Sequence, residues 1–332
     1  MKVLITGGAG FIGSYLAEAY LNNGDEVYVV DDLSTGSLSN IQSLILDAKF
    51  HFIEDSILNR ETMLELIGIC DVIVHLAAAV GVKLIIDEPL KSIHTNIVGT
   101  ETILELANKF RKMIFLASTS EVYGKNSQVP LSESDMRIYG PTQILRWSYA
   151  ATKAMDEFLA LAYYRTQKLP VIIARFFNTV GPRQTGRYGM VIPRFIGQAL
   201  KNEPITVFGD GTQTRSFTYV EDVVRGIMGL IEDSRAIGEI FNIGGEKEIS
   251  INDLAQQVRT ITGSSSPVRH ISYDDAYQEG FEDMQRRVPD ITKIKNLIGY
   301  SNTHSLEDIL TKVAAYERKS IRVNIEGRRS KV

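Results

Sequence analysis

Three glycines spaced by three, Gly7, Gly10 and Gly13, stand between the apolar run Val3-Leu4-Ile5-Thr6 and an amphipathic segment that opens at Phe11. Lacking Cβ atoms, they let a strand turn sharply into a helix and let that helix lie close on a sheet. The helix N-terminus then offers unpaired N–H groups and the positive end of its dipole, which suits a phosphate. Downstream, short β-rich runs at residues 3–6, 26–31, 49–53, 71–75, 112–118 and 170–175 alternate with amphipathic segments at 11–21, 60–67, 91–110 and 148–166. This alternation predicts an α/β fold, a doubly wound parallel sheet with helices on both faces.

Beyond Arg175 the pattern is broken by Pro182, Pro193, Pro204 and several glycines, which marks a second, smaller region. Helical periodicity returns at 219–231, 251–262 and 305–319, and the run at 239–243 is expected to rejoin the sheet. The expected division is therefore a dinucleotide-binding Rossmann unit (1–175 plus 217–244), a smaller α/β substrate-binding cap (176–216 plus 245–318) and a tail (319–332). In the tail, Ile325-Glu-Gly-Arg328 matches a protease-recognition tetrapeptide and reads as an appended segment.

Composition narrows the function. With 36 basic and 40 acidic residues, a formal net charge of −4 argues against a nucleic-acid surface. The single cysteine, Cys70, cannot form an intramolecular disulfide and reads as a buried thiol in a cytoplasmic chain. No apolar run is long enough for a membrane span, and the five histidines lack ligand spacing, so no metal is expected.

Asp31, ending the second predicted strand, is placed to accept both ribose hydroxyls of NAD and to repel the extra phosphate of NADP. Ser34 and Thr35 offer only weak hydrogen bonds to that phosphate, and Asp55 either meets the adenine amino group or caps a helix. Catalytic groups belong at the carboxyl ends of the strands, where Ser118-Thr119-Ser120 lies. Two Tyr-x-x-x-Lys pairs put both side chains on one helix face. Tyr164 and Lys168 fall at the far helix end, where lysine ordinarily complements the dipole. Tyr149 and Lys153 fall in the first turns, beside the glycines, where an ammonium and the positive end of nicotinamide are expected to favour the phenolate.

Taken together these residues resemble the extended short-chain dehydrogenase/reductases of the NAD-dependent nucleotide-sugar epimerase/dehydratase family. The likeness runs from Lys2 to about Ile309, through Thr6-Gly-Gly-Ala-Gly-Phe-Ile-Gly13, His75-Leu-Ala-Ala78, Asn96-Ile-Val-Gly99, Ser118-Thr-Ser-Glu-Val-Tyr-Gly124, Tyr149-x-x-x-Lys153, Phe177-Asn-Thr-Val-Gly-Pro-Arg183 and Gly209-Asp-Gly-Thr-Gln-Thr-Arg215. The resemblance implies NAD contacts at Gly7, Gly10, Phe11, Ile12 and Gly13, at Asp31, Asp32, Ser34, Thr35 and Gly36, and at Asp55, Ser56 and Ile57. Leu76, Ala77, Ala78, Asn96 and Ser118 complete that set with Tyr149 and Lys153. For the UDP-sugar it implies Val80, Gly81, Lys83, Thr119, Ser120, Tyr149 and Val191, with Asn178, Arg215 and Arg287 on the diphosphate and Val207 and Phe208 flanking the base. Thr119, Ser120, Glu121, Tyr149 and Lys153 are the implied catalytic group, and a homodimer through the helices at 91–110 and 148–166 is implied as well.

Family members share one opening step, oxidation at C4 of the sugar, and differ in the fate of the resulting ketone. A 4,6-dehydratase pattern has an Asp-Glu pair after the strand-end Thr, whereas here Ser120 and Glu121 come after Thr119. Thr-Ser-Glu and Arg146-Trp147 resemble UDP-glucuronate decarboxylases. The stretches His75-Leu-Ala-Ala-Ala-Val-Gly-Val-Lys83 and Phe177 to Gly189 resemble bacterial UDP-glucose and UDP-glucuronate 4-epimerases, so 4-epimerisation is the expected outcome and decarboxylation the alternative. Lys83 and Arg183 are open either to a uronate carboxylate or to solvent. A reading of another class, an NAD-binding scaffold without catalysis, is opposed by the presence of Thr119, Tyr149 and Lys153 together.

Overall fold

The computed structural model of the chain describes residues 1–81, 85, 87–186, 190–273 and 284–329, with side chains to residue 321. The first half runs β1 (Lys2–Thr6), α1 (Phe11–Asn22), β2 (Glu26–Asp31), α2 (Leu38–Ile41), β3 (Phe50–Glu54), α3 (Arg60–Ile69), β4 (Val72–His75), α4 (Pro89–Phe110), β5 (Met113–Thr119), α5 (Arg146–Gln167) and β6 (Val171–Phe176). The second half continues with β7 (Thr179–Val180), α6 (Val191–Leu200), β8 (Ile205–Phe208), β9 (Thr214–Ser216), β10 (Thr218–Tyr219), α7 (Val220–Glu232) and β11 (Ile240–Ile243). It closes with β12 (Glu248–Ser250), α8 (Ile251–Thr262), β13 (Val268–Ile271), β14 (Arg286–Arg287), α9 (Thr292–Ile298) and α10 (Leu306–Arg329).

Seven strands pair in the order β3-β2-β1-β4-β5-β6-β11, every pair parallel. Side chains alternate across this sheet as strand geometry requires. Val3, Ile5, Val74 and Phe115 pack with α1 and α7 on one face, while Leu4, Ile73, Ile114 and Ile173 pack with α3, α4 and α5 on the other. β11 joins the edge beside β6, so a strand from beyond the irregular region completes the sheet. A third core, built from α6, β8, α8 and α10, rests through Phe11, Ile12 and Tyr15 against the start of α1. Around it lie three small sheets of two or three short strands.

The sequence pattern misses α6, α9 and these short strands. Pro193 and Gly197 obscure the helical pattern of the unbroken α6, and runs of two to four residues are too short to show a period. α10 runs from Leu306 to Arg329, through most of the stretch read as a tail. Its last turns are polar, so they keep helical propensity without an apolar stripe to betray it.

Candidate active site

The order of strands reverses between β1 and β4, and a crevice opens there at the carboxyl ends of the sheet. The cleft, about 1040 Å³, extends from Gly7 and Asp31 past Thr119 and Tyr149 to Arg215 and Arg287 in the smaller region. Gly10 is the N-cap of α1 and has no side chain to occupy the first-turn N–H groups. Gly7 has φ +72°, and a Cβ there would sit 2.9 Å from the backbone of Ala77. A Cβ on Gly10 would fall 3.0 Å from the Gly7 carbonyl oxygen, so the turn is a cradle that only glycine leaves open.

Asp31 accepts the N–H groups of Ala9 at 3.0 Å and Leu33 at 2.9 Å, and its carboxylate still borders the cleft. Burial raises its pKa while those amides lower it. A carboxylate has about four acceptor directions, so hydroxyls of a ribose can still be met. Phe11, Ile12, Gly13, Asp32, Ser34, Thr35, Ile57, Leu76, Ala77, Ala78, Val80 and Gly81 also border the cleft. These residues fit a dinucleotide.

Several expectations move. Gly36 lies against the Asp31 carboxylate rather than on the cleft, since a Cβ there would sit 2.7 Å from Oδ1. Asp55 borders the cleft yet binds the Ser56 amide, Asn59 and Thr62, and these bonds lower its pKa. Ser56 itself is off the cleft, its hydroxyl accepting the Leu58 amide at 3.2 Å. Asn96 is buried off the cleft and holds the loop after β4 by accepting the Ala79 amide at 2.8 Å. Val207 is fully buried in the third core, because alternation along β8 turns it inward and gives only Phe208 to the cleft. Lys83 lies outside the described residues. Arg183 borders the cleft but pairs with Glu18 at 2.8 Å and covers the Tyr15 ring.

At the other end, Ser118, Thr119, Ser120 and Glu121 carry the chain from β5 into a 3-10 turn, with the Thr119 hydroxyl accepting the Glu121 amide at 3.2 Å. Tyr149 and Lys153, one turn apart on α5, face the same space. Lys153 is buried and donates to Asp156 Oδ2 at 2.8 Å. The expected ease of ionising Tyr149 is not a property of the protein alone. Burial, then the charges of Glu121 and Asp156, hold its proton on, against a hydrogen bond with Thr119. The other pair serves structure, with Lys168 as the left-handed C-cap of α5 and the Tyr164 ring against Gly238.

Arg287, expected on a diphosphate, instead binds Glu121 at 2.7 Å, and Arg146 reaches the other oxygen of that carboxylate at 3.4 Å. Both guanidinium groups are buried at the cleft wall. Asn178 borders the cleft, its amide donating to the Ser216 carbonyl at 2.8 Å, and so do Val191 and Arg215. The sequence missed Arg194, which lies 3.9 Å over the Phe208 ring, and Gln213, which donates to the Phe208 carbonyl and the Tyr273 hydroxyl. It also missed Tyr316, Glu317 and Ser320, which α10 brings to the rim. Their place on the cleft depends on how separate elements pack together, which no local pattern reports. Cys70 is buried as expected, its thiol pushed up to about 12 by burial. Among the described residues no cluster of histidine, cysteine and carboxylate side chains suits a metal, and no helix is long and apolar enough to cross a membrane.

The profile of the family described as GDP-mannose 4,6 dehydratase matches residues 4–313. The chain belongs to that family. Within the GDP-mannose 4,6 dehydratase family it is 44% identical to a UDP-N-acetyl-alpha-D-glucosaminuronate decarboxylase of Bacillus cytotoxicus, over 96% of this chain and 98% of that protein. It is 36% identical to UDP-glucuronic acid decarboxylase 1 of Xenopus tropicalis, over 96% of this chain and 73% of that one. The solved structure of a UDP-glucuronic acid 4-epimerase from Bacillus cereus, in complex with UDP-glucuronic acid and NAD, superposes with a TM-score of 0.87 at 35% identity, covering 96% of this chain and all of that one. The chain is thus an enzyme of the NAD-dependent nucleotide-sugar group of extended short-chain dehydrogenases.

Proposed function

We propose that this enzyme decarboxylates a UDP-linked hexuronate after oxidising it at C4. The observation that carries this reading is the 44% identity, over 96% of this chain, to a UDP-N-acetyl-alpha-D-glucosaminuronate decarboxylase. Arg287 and Arg146 at the cleft wall, with Glu121 balancing one of their two charges, leave a net positive charge that suits a sugar bearing a carboxylate, a feature that decarboxylation and 4-epimerisation of a hexuronate share. Dehydration would need an acid where Ser120 stands.

In this reading Asp31 meets the adenosine ribose and Asp55 the adenine, Phe208 flanks the uracil, and Asn178 and Arg215 hold the diphosphate. The glycine turn of Gly7, Gly10 and Gly13 would hold NAD, whose nicotinamide would supply the hydride acceptor for oxidation at C4 and the hydride donor for the closing reduction. Tyr149 accepts the C4 hydroxyl proton, helped by the nearby ammonium of Lys153. Thr119 hydrogen-bonds O4 and steadies the charge that gathers there. A C4 ketone stands β to the C6 carboxylate, so the C5–C6 bonding electrons pass toward O4 as carbon dioxide departs. C5 then takes one proton from solvent, and Tyr149 returns its proton to O4.

The test is incubation with NAD and either UDP-glucuronate or UDP-N-acetylglucosaminuronate, with products monitored by mass and NMR. Loss of carbon dioxide is expected. An isomer of unchanged mass would overturn this reading in favour of 4-epimerisation, the second reading, which the likeness to the UDP-glucuronic acid 4-epimerase favours. Failure to reduce NAD with any UDP-sugar would point to a scaffold. We infer further that two copies pair through α4 and α5, where Leu90, Met155 and Phe158 are exposed.

A further inference from the structure

Leu116, Ile173 and Ile240 stand side by side on β5, β6 and β11, on the apolar face that α5 helps to cover. Two residues further along each strand, alternation returns to that face with Ser118, Arg175 and Asn242, a buried polar row in register. One carboxylate of α5 answers the row. Glu157 Oε1 accepts the Ser118 hydroxyl at 2.5 Å and Arg175 Nε at 2.8 Å, while Oε2 accepts a second Arg175 nitrogen at 2.8 Å and Arg137 at 2.6 Å. These bonds use up the roughly four acceptor directions of a carboxylate. Burial opposes the charge of Glu157, but the bonds outweigh it and hold the pKa below the usual carboxylate value. Arg175 also donates to the Tyr123 hydroxyl at 2.9 Å, so that hydroxyl gives its own proton to Asn242 Oδ1 at 2.7 Å. The Asn242 amide then donates to the carbonyls of Leu131 at 2.8 Å and Asp290 at 3.2 Å.

Apolar burial keeps a helix on a sheet without fixing where along the strands it rests, because it has no direction. Hydrogen bonds do fix it, and here they fall beside the reacting groups. Ser118 directly precedes Thr119, and Glu157 lies on α5 at a spacing that keeps it on one side of the helix with Tyr149 and Lys153. Arg137 belongs to the connection between β5 and α5, so its bond to the same carboxylate does not join helix to sheet.

We propose that Glu157 is a positioning residue: by holding Ser118 and Arg175 at once, it sets where α5 rests over β5 and β6, and so where Tyr149 stands relative to Thr119. Glu157 does not border the cleft and acts through those two residues. The proposal rests on Tyr149 and Thr119 meeting the same sugar oxygen, and it holds for decarboxylation and epimerisation alike because both begin there.

Three substitutions separate placing from stability. Glu157→Asp keeps the charge opposite Arg175 but is one C–C bond, about 1.5 Å, too short to hold Ser118 and Arg175 together from the present seat of α5. Glu157→Gln keeps the length, and its amide oxygen can still accept from Ser118, but it strips the buried Arg175 of its counter-charge. Arg137→Gln removes only the bond that does not join helix to sheet. Thermal melting should therefore rank Glu157→Gln as the least stable. In contrast kcat, measured with NAD and the UDP-hexuronate well below every melting point, should fall about ten- to a hundredfold in Glu157→Asp and less in Glu157→Gln. KM for the UDP-hexuronate should stay within about twofold in both, and Arg137→Gln should keep kcat within about twofold. In the protein without cofactor or substrate, carbon-13 NMR of the Tyr149 phenol carbon, assigned by its loss in Tyr149→Phe, should show a shift in Glu157→Asp and none in Arg137→Gln. A kcat that falls in step with melting temperature across the variants overturns the proposal, as does Glu157→Asp with unchanged kcat or an unmoved tyrosine signal. If Glu157→Gln does not fold, the contrast between Glu157→Asp and Arg137→Gln carries the same test. The tyrosine signal needs no turnover, so an unaltered protein without activity would overturn the assigned reaction while the signal still decides the role of Glu157.

Discussion

Tyr149 enters the cleft as a protonated phenol. Burial and two nearby carboxylates oppose its ionisation, and the family's chemistry asks it to act as a base. In the reaction proposed above, the ammonium of Lys153 and the positive charge of bound NAD would together offset that cost. Tyr149→Phe is expected to lower turnover by about 10²–10⁴-fold, the usual worth of a general base, with NAD affinity measured by calorimetry unchanged. Retained activity would move the base elsewhere. His75 makes a separate prediction at this scale. Its pKa falls from 6.5 to about 3 on folding, so below pH 6.5 the unfolded chain binds a proton that the folded one refuses. Its share of stability is complete above pH 6.5 and is lost as pH falls toward 3, at about 1.4 kcal/mol per pH unit. Denaturant titrations across that range should show His75→Gln losing one proton's worth of the slope. An identical slope would mean the ring is already charged in the fold.

At the level of elements, the glycine turn and α5 do most of the placing. Gly13 packs the first turn of α1 against the Gly7–Gly8 backbone, and an added Cβ would fall 2.7 Å from the Gly8 Cα. Gly13→Ala is expected to destabilise the protein by about 1–3 kcal/mol and to weaken NAD binding, checked by denaturation and calorimetry. Wild-type affinity would show that the cradle is not the cofactor's seat. One turn after Lys153, Glu157 binds Arg175 of β6 through two bonds of 2.8 Å, and fastens α5 to the sheet below the site. Elements with long or strongly alternating patterns were legible, which is why the seven strands of the sheet and helices α1, α3, α4, α5, α7 and α8 stand where the pattern puts them. Residue placements were legible only where a strand end or helix turn fixes them, as with Thr119 and Tyr149. Val207 was misplaced because β8 is four residues long and nothing local says which face is the core. The Glu121–Arg287 pair joins residues far apart in the chain, beyond any pattern.

For the whole molecule, the sheet carries the glycine cradle and the Thr119–Tyr149–Lys153 group, while the smaller region supplies Arg215, Phe208 and Arg287. The cleft exists only where the two meet. The inferred pairing of copies through α4 and α5 belongs to this scale. Light scattering should report a dimer that Phe158→Glu converts to a monomer, because a charge on the exposed ring position cannot be buried without a partner. A monomeric unaltered protein would dismiss the pairing. The path of the chain has one more effect. β11 reaches the edge of β6 only after the chain has passed through β7–β10 and α6–α7. During synthesis the growing sheet therefore keeps an open β6 edge, able to capture other strands, until residue 243 has emerged. The cap cannot be cut away as a separable module, since the stretch that returns from it is what seals the sheet.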